Sequence, residues 1–83
     1  MTLTSHQLVY PDGDTQEIEH RLRINEVVDL NGNPLSPPLP TSRMIAYRVF
    51  RISTSTRIGE EIISYYLDLL GRDELEELTG RQW

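Results

Sequence analysis

The amino-acid sequence predicts a small α+β domain, made of an antiparallel β-sheet built from hairpins and a short C-terminal helix. Turn signals that close hairpins occur at residues 11–14 (Pro-Asp-Gly-Asp) and at Asn31-Gly32. Residues 43–54 are rich in β-branched and aromatic side chains, and good helix formers fill residues 72–79 before Gly80. At 83 residues the chain is long enough for one domain, 1–83, whose ends at 1–5 and 81–83 are predicted to fray.

The first predicted hairpin joins residues 6–10 to residues 15–22. Pro11 presets φ for the first corner of the turn, and Gly13 supplies the positive φ that other residues resist. Ile18 and Leu22 then lie on one strand face. The acidic turn resembles the start of a calcium loop only superficially, because the required glycine and carboxylate positions further along are occupied by other residues.

Two histidines, His6 and His20, fall near opposite ends of this hairpin. A stable transition-metal site needs three or four ligands, so two imidazoles on a hairpin predict ordinary surface residues. The sequence therefore predicts no metal site and no cofactor.

The middle of the chain predicts a short strand around residues 27–30, followed by a type I′ turn at Asn31-Gly32. Residues 35–42 contain three prolines, which lack an amide hydrogen and favour an extended conformation. This segment is predicted to be a stiff spacer between strands, with a ligand for a proline-binding groove as the alternative.

Residues 43–54 give the clearest strand, and it is predicted to be central because both of its faces are apolar. Simple alternation places Arg48 and Phe50 on one face, with Arg51 and Tyr47 on the other. Residues 60–70 fit a helix as well as a strand, with the strand slightly favoured by paired isoleucines and tyrosines. Residues 72–80 predict a helix of under three turns that docks through Leu75 and Leu78.

The composition excludes several kinds of chemistry. There is no cysteine, which excludes disulfides, thiolate zinc sites and thiol nucleophiles. The apolar runs are far shorter than the roughly 20 residues that cross a bilayer, and residues 1–5 lack the features of a signal peptide. We therefore expect a cytoplasmic protein. No nucleophile elbow, zinc-protease motif or glycine-rich phosphate loop is present, so the sequence predicts that it is not an enzyme.

Charge is distributed unevenly along the chain, whose net charge is −5. Residues 20–57 hold six arginines against two acids, a local charge of +4, and both flanking segments are acidic. All eight cations are arginine, whose planar fork suits carboxylates and phosphates. The central arginines are therefore expected to form surface ion pairs with the acidic flanks, or alternatively to bind phosphates.

The function predicted is a non-catalytic accessory or protein-interaction module, acting on a protein partner or a second copy of itself, with no small-molecule substrate. Aromatic residues dominate binding energies, so the predicted contact residues are Tyr47, Phe50, Tyr65, Tyr66 and Trp83. The alternative is a nucleic-acid-binding domain that uses Arg48, Arg51 and Arg57 on the central strand, with bases stacked on neighbouring rings.

Overall fold

The computed structural model describes residues 3–41 and 43–79, in which five strands and one helix form. In chain order they are β1 (Leu3–Val9), β2 (Thr15–Ile18), β3 (Val27–Asp29), β4 (Ala46–Arg57), β5 (Glu60–Leu69) and α1 (Arg72–Leu78). The predicted α+β class and the short C-terminal helix are confirmed. Strand β1 begins at Leu3, inside the segment 1–5 for which fraying is predicted, and residues 81–83 lie outside the described residues.

The strands form one curled sheet in the order β2-β1-β5-β4-β3. Every neighbouring pair is antiparallel except β1 and β5, which run parallel with Leu8 opposite Tyr65. The prediction of a purely antiparallel sheet is therefore wrong, and the sheet is mixed. Turn residues specify the local hairpins, whereas the parallel pair joins segments 57 positions apart through side-chain burial, which no turn signal encodes.

The turns after β1 and after β3 share one construction. Gly13 N donates to Tyr10 O at 2.9 Å, and Gly32 N donates to Asp29 O at 3.0 Å. In each case the glycine follows the two central residues of the turn and has a positive φ, of 95° and 83° respectively. The predicted type I′ turn at Asn31-Gly32 is wrong, because Asn31 does not have the positive φ that this type requires.

The ambiguous segment 60–70 is a strand over Glu60–Leu69, as slightly favoured from the sequence. It forms a hairpin with β4 across Ile58-Gly59, with Arg57 opposite Glu60. The helix prediction fails here because the segment buries alternate residues, Tyr65 and Leu67, in the sheet core. Among the described residues, no helix is long and apolar enough to cross a bilayer.

Residues from all five strands bury a core on one side of the sheet, which we call the inner face. This inner core consists of Leu8, Ile18, Leu22, Val28, Val49, Tyr65 and Leu67. The turn at Gly32 closes it, since a Cβ at this position would lie 2.6 Å from the Leu8 side chain.

The opposite side of the sheet, the outer face, is covered only at one end. There α1 and the proline-rich segment pack over β3, β4 and the end of β5. Leu39 is buried and its amide donates to Leu78 O at 2.7 Å, so this residue anchors the proline-rich segment to the chain's own helix, while Pro37, Pro38 and Pro40 are exposed. This outer core consists of Val27, Leu39, Ala46, Leu70 and Leu75. Beyond it, β1, β5 and β4 extend as a three-stranded ribbon whose outer face carries no covering element among the described residues.

Candidate functional site

Two of the aromatic residues predicted to contact a partner lie on the inner face. Tyr65 is 2% exposed, and its hydroxyl lies 3.0 Å from His6 Nδ1 with the two rings stacked. Tyr47 is half-buried, and its ring meets that of Tyr10 edge-on with 5.4 Å between centroids. Tyr65 is therefore a core residue, with almost no surface left for a partner to contact.

Two other predicted contact residues come together on the outer face. The ring of Phe50 is 55% exposed and lies 6.4 Å from the ring of Tyr66, centroid to centroid. The fifth predicted contact residue, Trp83, lies outside the described residues. The outer face thus brings together one pair from the predicted set.

A β-bulge in β4 explains how this pair gains its neighbouring cations. Val49 lies opposite Leu67, and Arg51 lies opposite the next residue of β5, Tyr66, so Phe50 is an extra residue in β4. An extra residue reverses the alternation of side chains beyond it. The prediction that Arg48 and Arg51 lie on opposite faces is therefore wrong, because both lie on the outer face.

The bulge creates what we call the aromatic–arginine patch, which consists of Phe50, Arg51 and Tyr66. The Arg51 guanidinium carbon lies 5.2 Å from the centroid of the Tyr66 ring, within the range of a cation–π interaction. This contact orients an exposed cation beside two aromatic rings. The patch therefore offers a flat apolar surface and a positive charge in one place.

The three predicted phosphate-binding arginines share the outer face but differ in their surroundings. The Arg48 guanidinium donates to the Glu74 carboxylate of α1 at 2.9 Å, and both side chains are partly exposed. Arg57 lies opposite Glu60 at the far end of the ribbon, without an ion pair among the described residues. The expectation that acidic flanks neutralise the central arginines thus holds for Arg48, whereas Arg51 lies over an aromatic ring.

Between the patch and Arg57 the residues that β4 contributes to the outer face are polar. Ser53 lies opposite Ser64, whose hydroxyl accepts a hydrogen bond from Gln7 Nε2 at 3.0 Å. Ser55 follows on the same face of β4. These small side chains leave the backbone of β4 accessible along the ribbon.

A separate concave feature lies at the end of β1 away from the ribbon, between the turn that follows β1 and the turn that follows β3. It is a cleft of about 570 Å³ whose lining includes Tyr10, Tyr47, Asp12, Asp14 and Leu30. The Tyr10 hydroxyl donates to Leu30 O at 2.7 Å, which ties the turns together. Burial raises the pKa of Tyr10 above its ordinary value of 10.0, and the neighbouring Tyr47, Asp29 and Asp12 raise it further. None of the described arginines lines this cleft, so it is separate from the aromatic–arginine patch.

The two histidines have separate partners. His6 Nδ1 contacts the Tyr65 hydroxyl, and His20 Nε2 lies 2.8 Å from Gly32 O. Each imidazole thus helps to hold one part of the sheet against another. Within residues 3–41 and 43–79 no three histidine, aspartate or glutamate side chains cluster closely enough to hold a metal ion.

Sequence reasoning missed the contact between Arg51 and Tyr66, because it depends on the bulge. The bulge leaves no clear trace in the sequence, because Phe50 fits a strand with two apolar faces and only the structure shows that it is 55% exposed. Strict alternation assigns Phe50 to one face and then assigns each residue after it to the wrong face.

Comparison with known proteins gives one family. Residues 2–78 match the model of a family described as an uncharacterised Treponema protein. The chain belongs to this family. Comparison with curated proteins and with solved structures finds no match in either. The family description names no activity, so the function has to be argued from the described residues.

Proposed function

We propose that this chain is a non-catalytic interaction module of the cytoplasm that binds a protein partner through the aromatic–arginine patch. The observation that carries the proposal is the exposed Phe50 ring at the bulge, which lies beside the Tyr66 ring. The Arg51 guanidinium is already held over the Tyr66 ring. Tyrosine and arginine are enriched among the residues that dominate binding energies, and aromatic residues in general are enriched at interfaces.

The energetics of the patch favour a protein surface as ligand. Covering the exposed ring of Phe50 removes apolar area from water, at about 25 cal/mol per Å². Because Arg51 is already placed over Tyr66, less side-chain entropy is lost when a partner binds it. The partner that fits is a surface with an apolar or aromatic centre and carboxylates at its edge.

A comparison of capture by matched variants tests this proposal. The tagged protein, Phe50→Ala and Arg51→Glu are each used to capture proteins from a lysate of the source organism. Ile24→Ala and Arg21→Glu serve as controls, since Ile24 is 50% exposed, much like Phe50, and both controls lie in the connection between β2 and β3. We expect one protein to be lost with both patch variants and retained with both controls. Equal recovery from all five forms would contradict the proposal.

A second candidate function is binding of single-stranded nucleic acid, and one observation favours it. The bulge brings Arg48, Arg51 and Arg57 to one face together with the rings of Phe50 and Tyr66. Phosphates pair with guanidinium groups, and bases stack on aromatic rings. Against it, Glu74 already pairs with Arg48, and the net charge of −5 repels a polyanion at long range.

A salt titration separates the two candidates. Fluorescein-labelled single-stranded DNA and RNA are titrated with the protein at low salt and then at rising salt. Binding that weakens steeply with salt, and that Arg51→Glu abolishes, would favour the nucleic-acid function. Undetectable binding at low salt would eliminate it.

A further inference from the structure

We propose that the ribbon end of β4 binds an extended acidic segment of a partner protein as an added β-strand. This inference rests on the proposed interaction function and names the mode of binding and the chemistry of the partner. It depends on three observations: the unpaired edge of β4, the direction of its backbone groups and the placement of its charges.

The edge of β4 is occupied along only part of its length. Strand β3 pairs with Ala46–Arg48, and the backbone of Val49 then bonds with Glu26 O and Asn25 N. From Arg51 to Arg57, within the described part of the chain, no strand lies on this side. An open edge of seven residues is long enough for a peptide to add a strand by main-chain hydrogen bonds.

The register shows which backbone groups are free to bind. Leu70 N donates to Ala46 O, so Ala46 forms a hydrogen-bonded pair with β5. At the other end of β4 the hairpin closes with Arg57 paired to Glu60. From each end, hydrogen-bonded pairs with β5 recur at every second residue as far as the bulge. After the bulge, the amides of Ser53 and Ser55 therefore face β5. The amide and carbonyl groups of the intervening residues face solvent at the edge; these residues are Ile52, Thr54 and Thr56.

The charges along this edge select the occupant. Arg51 and Arg57 stand at its two ends on the outer face, six residues apart, with Ser53 and Ser55 between them. In an antiparallel pairing of two copies centred on Thr54, Arg51 of each copy would lie opposite Arg57 of the other, and like charges directly opposite are destabilising. A strand with a carboxylate at each end and small polar residues between them places opposite charges across both arginines.

A synthetic heptapeptide provides the probe. Fluorescein-labelled Glu-Val-Thr-Val-Thr-Val-Glu, paired antiparallel to β4, sets its two glutamates opposite Arg57 and Arg51 and its last valine opposite Ile52. The control Glu-Val-Thr-Val-Thr-Glu-Val has the same composition but moves one glutamate to the inner face. We expect the first peptide to bind about tenfold more tightly than the second, as measured by fluorescence anisotropy.

Blocking the backbone tests whether binding is strand addition. Methylating the amide nitrogens of the three valines removes the peptide donors that face β4, whereas methylating the two threonines removes donors that face away. We expect the first change to weaken binding by about tenfold or more and the second to have a smaller effect.

The corresponding protein variant is Thr54→Pro, which removes an amide that faces solvent and leaves the ladder to β5 intact. Thr54→Val is the control, since it keeps both the amide and the β-branched shape. Proline should abolish peptide binding and valine should retain it. If circular dichroism shows that Thr54→Pro is unfolded, the methylated peptides decide the question on the unaltered protein.

The outcomes separate this inference from the proposed function. Failure of the heptapeptide to bind, or equal binding of the valine-methylated form, overturns strand addition. A dimer that sedimentation detects and Thr54→Pro disrupts also overturns it, because the occupant is then a second copy. If patch variants still lose a captured partner in these cases, the interaction function stands, and only the mode of binding fails.

Discussion

The two ends of β4 lie in contrasting surroundings. At Ala46–Val49 the strand has β3 or the segment before it on one side, β5 on the other, and buried residues on both faces. At Arg51–Arg57 β5 is the only strand beside it within residues 3–41 and 43–79, and its residues are exposed or partly exposed on both faces. Phe50, the bulged residue, lies at the boundary between the covered end and the bare ribbon.

This contrast separates the residues that stabilise the sheet from those that we propose bind a partner. A domain of this size buries a limited fraction of its surface, so its cores must be concentrated to be effective. The outer core lies at the covered end, and the inner core extends from there as far as Leu8 and Tyr65, in register with Ile52. Within the ribbon, β4 has no buried residue from Arg51 to Arg57, and its edge and outer face form the binding surface that we propose. Substitutions at the covered end should therefore alter stability, and those in the ribbon should alter binding.

The largest expected effect comes from a cavity in the inner core. Leu67→Ala removes a side chain that is 2% exposed and should lower the free energy of unfolding by about 2–5 kcal/mol. Ile52 lies on the same inner face but in the ribbon. Ile52→Ala should lower the free energy of unfolding by less than about 1 kcal/mol, because Ile52 is already 37% exposed. Urea denaturation measures both, and equal losses would remove the distinction between the two ends.

Two glycines with similar backbone conformations give the next comparison. Gly32 has φ of 83° and Gly59 has φ of 75°, so alanine is strained at either position. At Gly32, in the covered end, the new Cβ would also lie 2.6 Å from Leu8, whereas at Gly59 it would meet no atom of the described residues within 4 Å. We expect Gly32→Ala to cost about 2–4 kcal/mol and Gly59→Ala about 1 kcal/mol in thermal unfolding. Similar costs would show that the Gly32 turn does not close the core.

A smaller effect is expected at the ion pair between β4 and α1. Arg48 and Glu74 are both partly exposed, so solvent screens their attraction. Arg48→Gln should cost about 0.5 kcal/mol at low salt and less at high salt, and Arg57→Gln in the ribbon should cost nothing measurable. A loss above about 2 kcal/mol, with no salt dependence, would mean that this pair holds the helix in place.

The smallest effect is confined to alkaline pH. Burial raises the pKa of Tyr10 in the folded protein above its ordinary value of 10.0, so the neutral hydroxyl is favoured by folding. The stabilisation is present below pH 10 and is lost as the pH rises through the folded-state pKa. Ultraviolet difference absorbance between the wild type and Tyr10→Phe isolates this titration. A midpoint at or below the ordinary value would contradict the burial described.

Sequence patterns predicted the elements of this fold better than their arrangement. The hairpin at residues 11–14, the strand over most of residues 43–54 and the short helix each have local causes, in turn residues, β-branched side chains and helix formers. The parallel pairing of β1 with β5 has no local cause, since it depends on burying Leu8 beside Tyr65 from distant parts of the chain.

The sequence predicts only part of the candidate site, because the rest depends on how the strands are arranged. The aromatic content predicts Phe50 and Tyr66 as contacts for a protein partner, whereas Arg51 is predicted only for the nucleic-acid alternative. Their grouping depends on one extra residue in β4, which reverses side-chain phase and cannot be deduced from alternation. On β5, by contrast, ordinary alternation separates Tyr65, which is buried, from Tyr66, which belongs to the patch.

Amide hydrogen exchange along β4, followed by NMR, tests the central claim most directly. With the bulge at Phe50 and an open edge beyond it, the amides of Ile52, Thr54 and Thr56 should exchange rapidly, whereas those of Ser53 and Ser55 should be protected by β5. Protection in the opposite phase would mean that β4 has no bulge and that Arg51 lies on the inner face. Uniform protection would mean that the edge is already paired, and either result would contradict a binding surface on the bare ribbon.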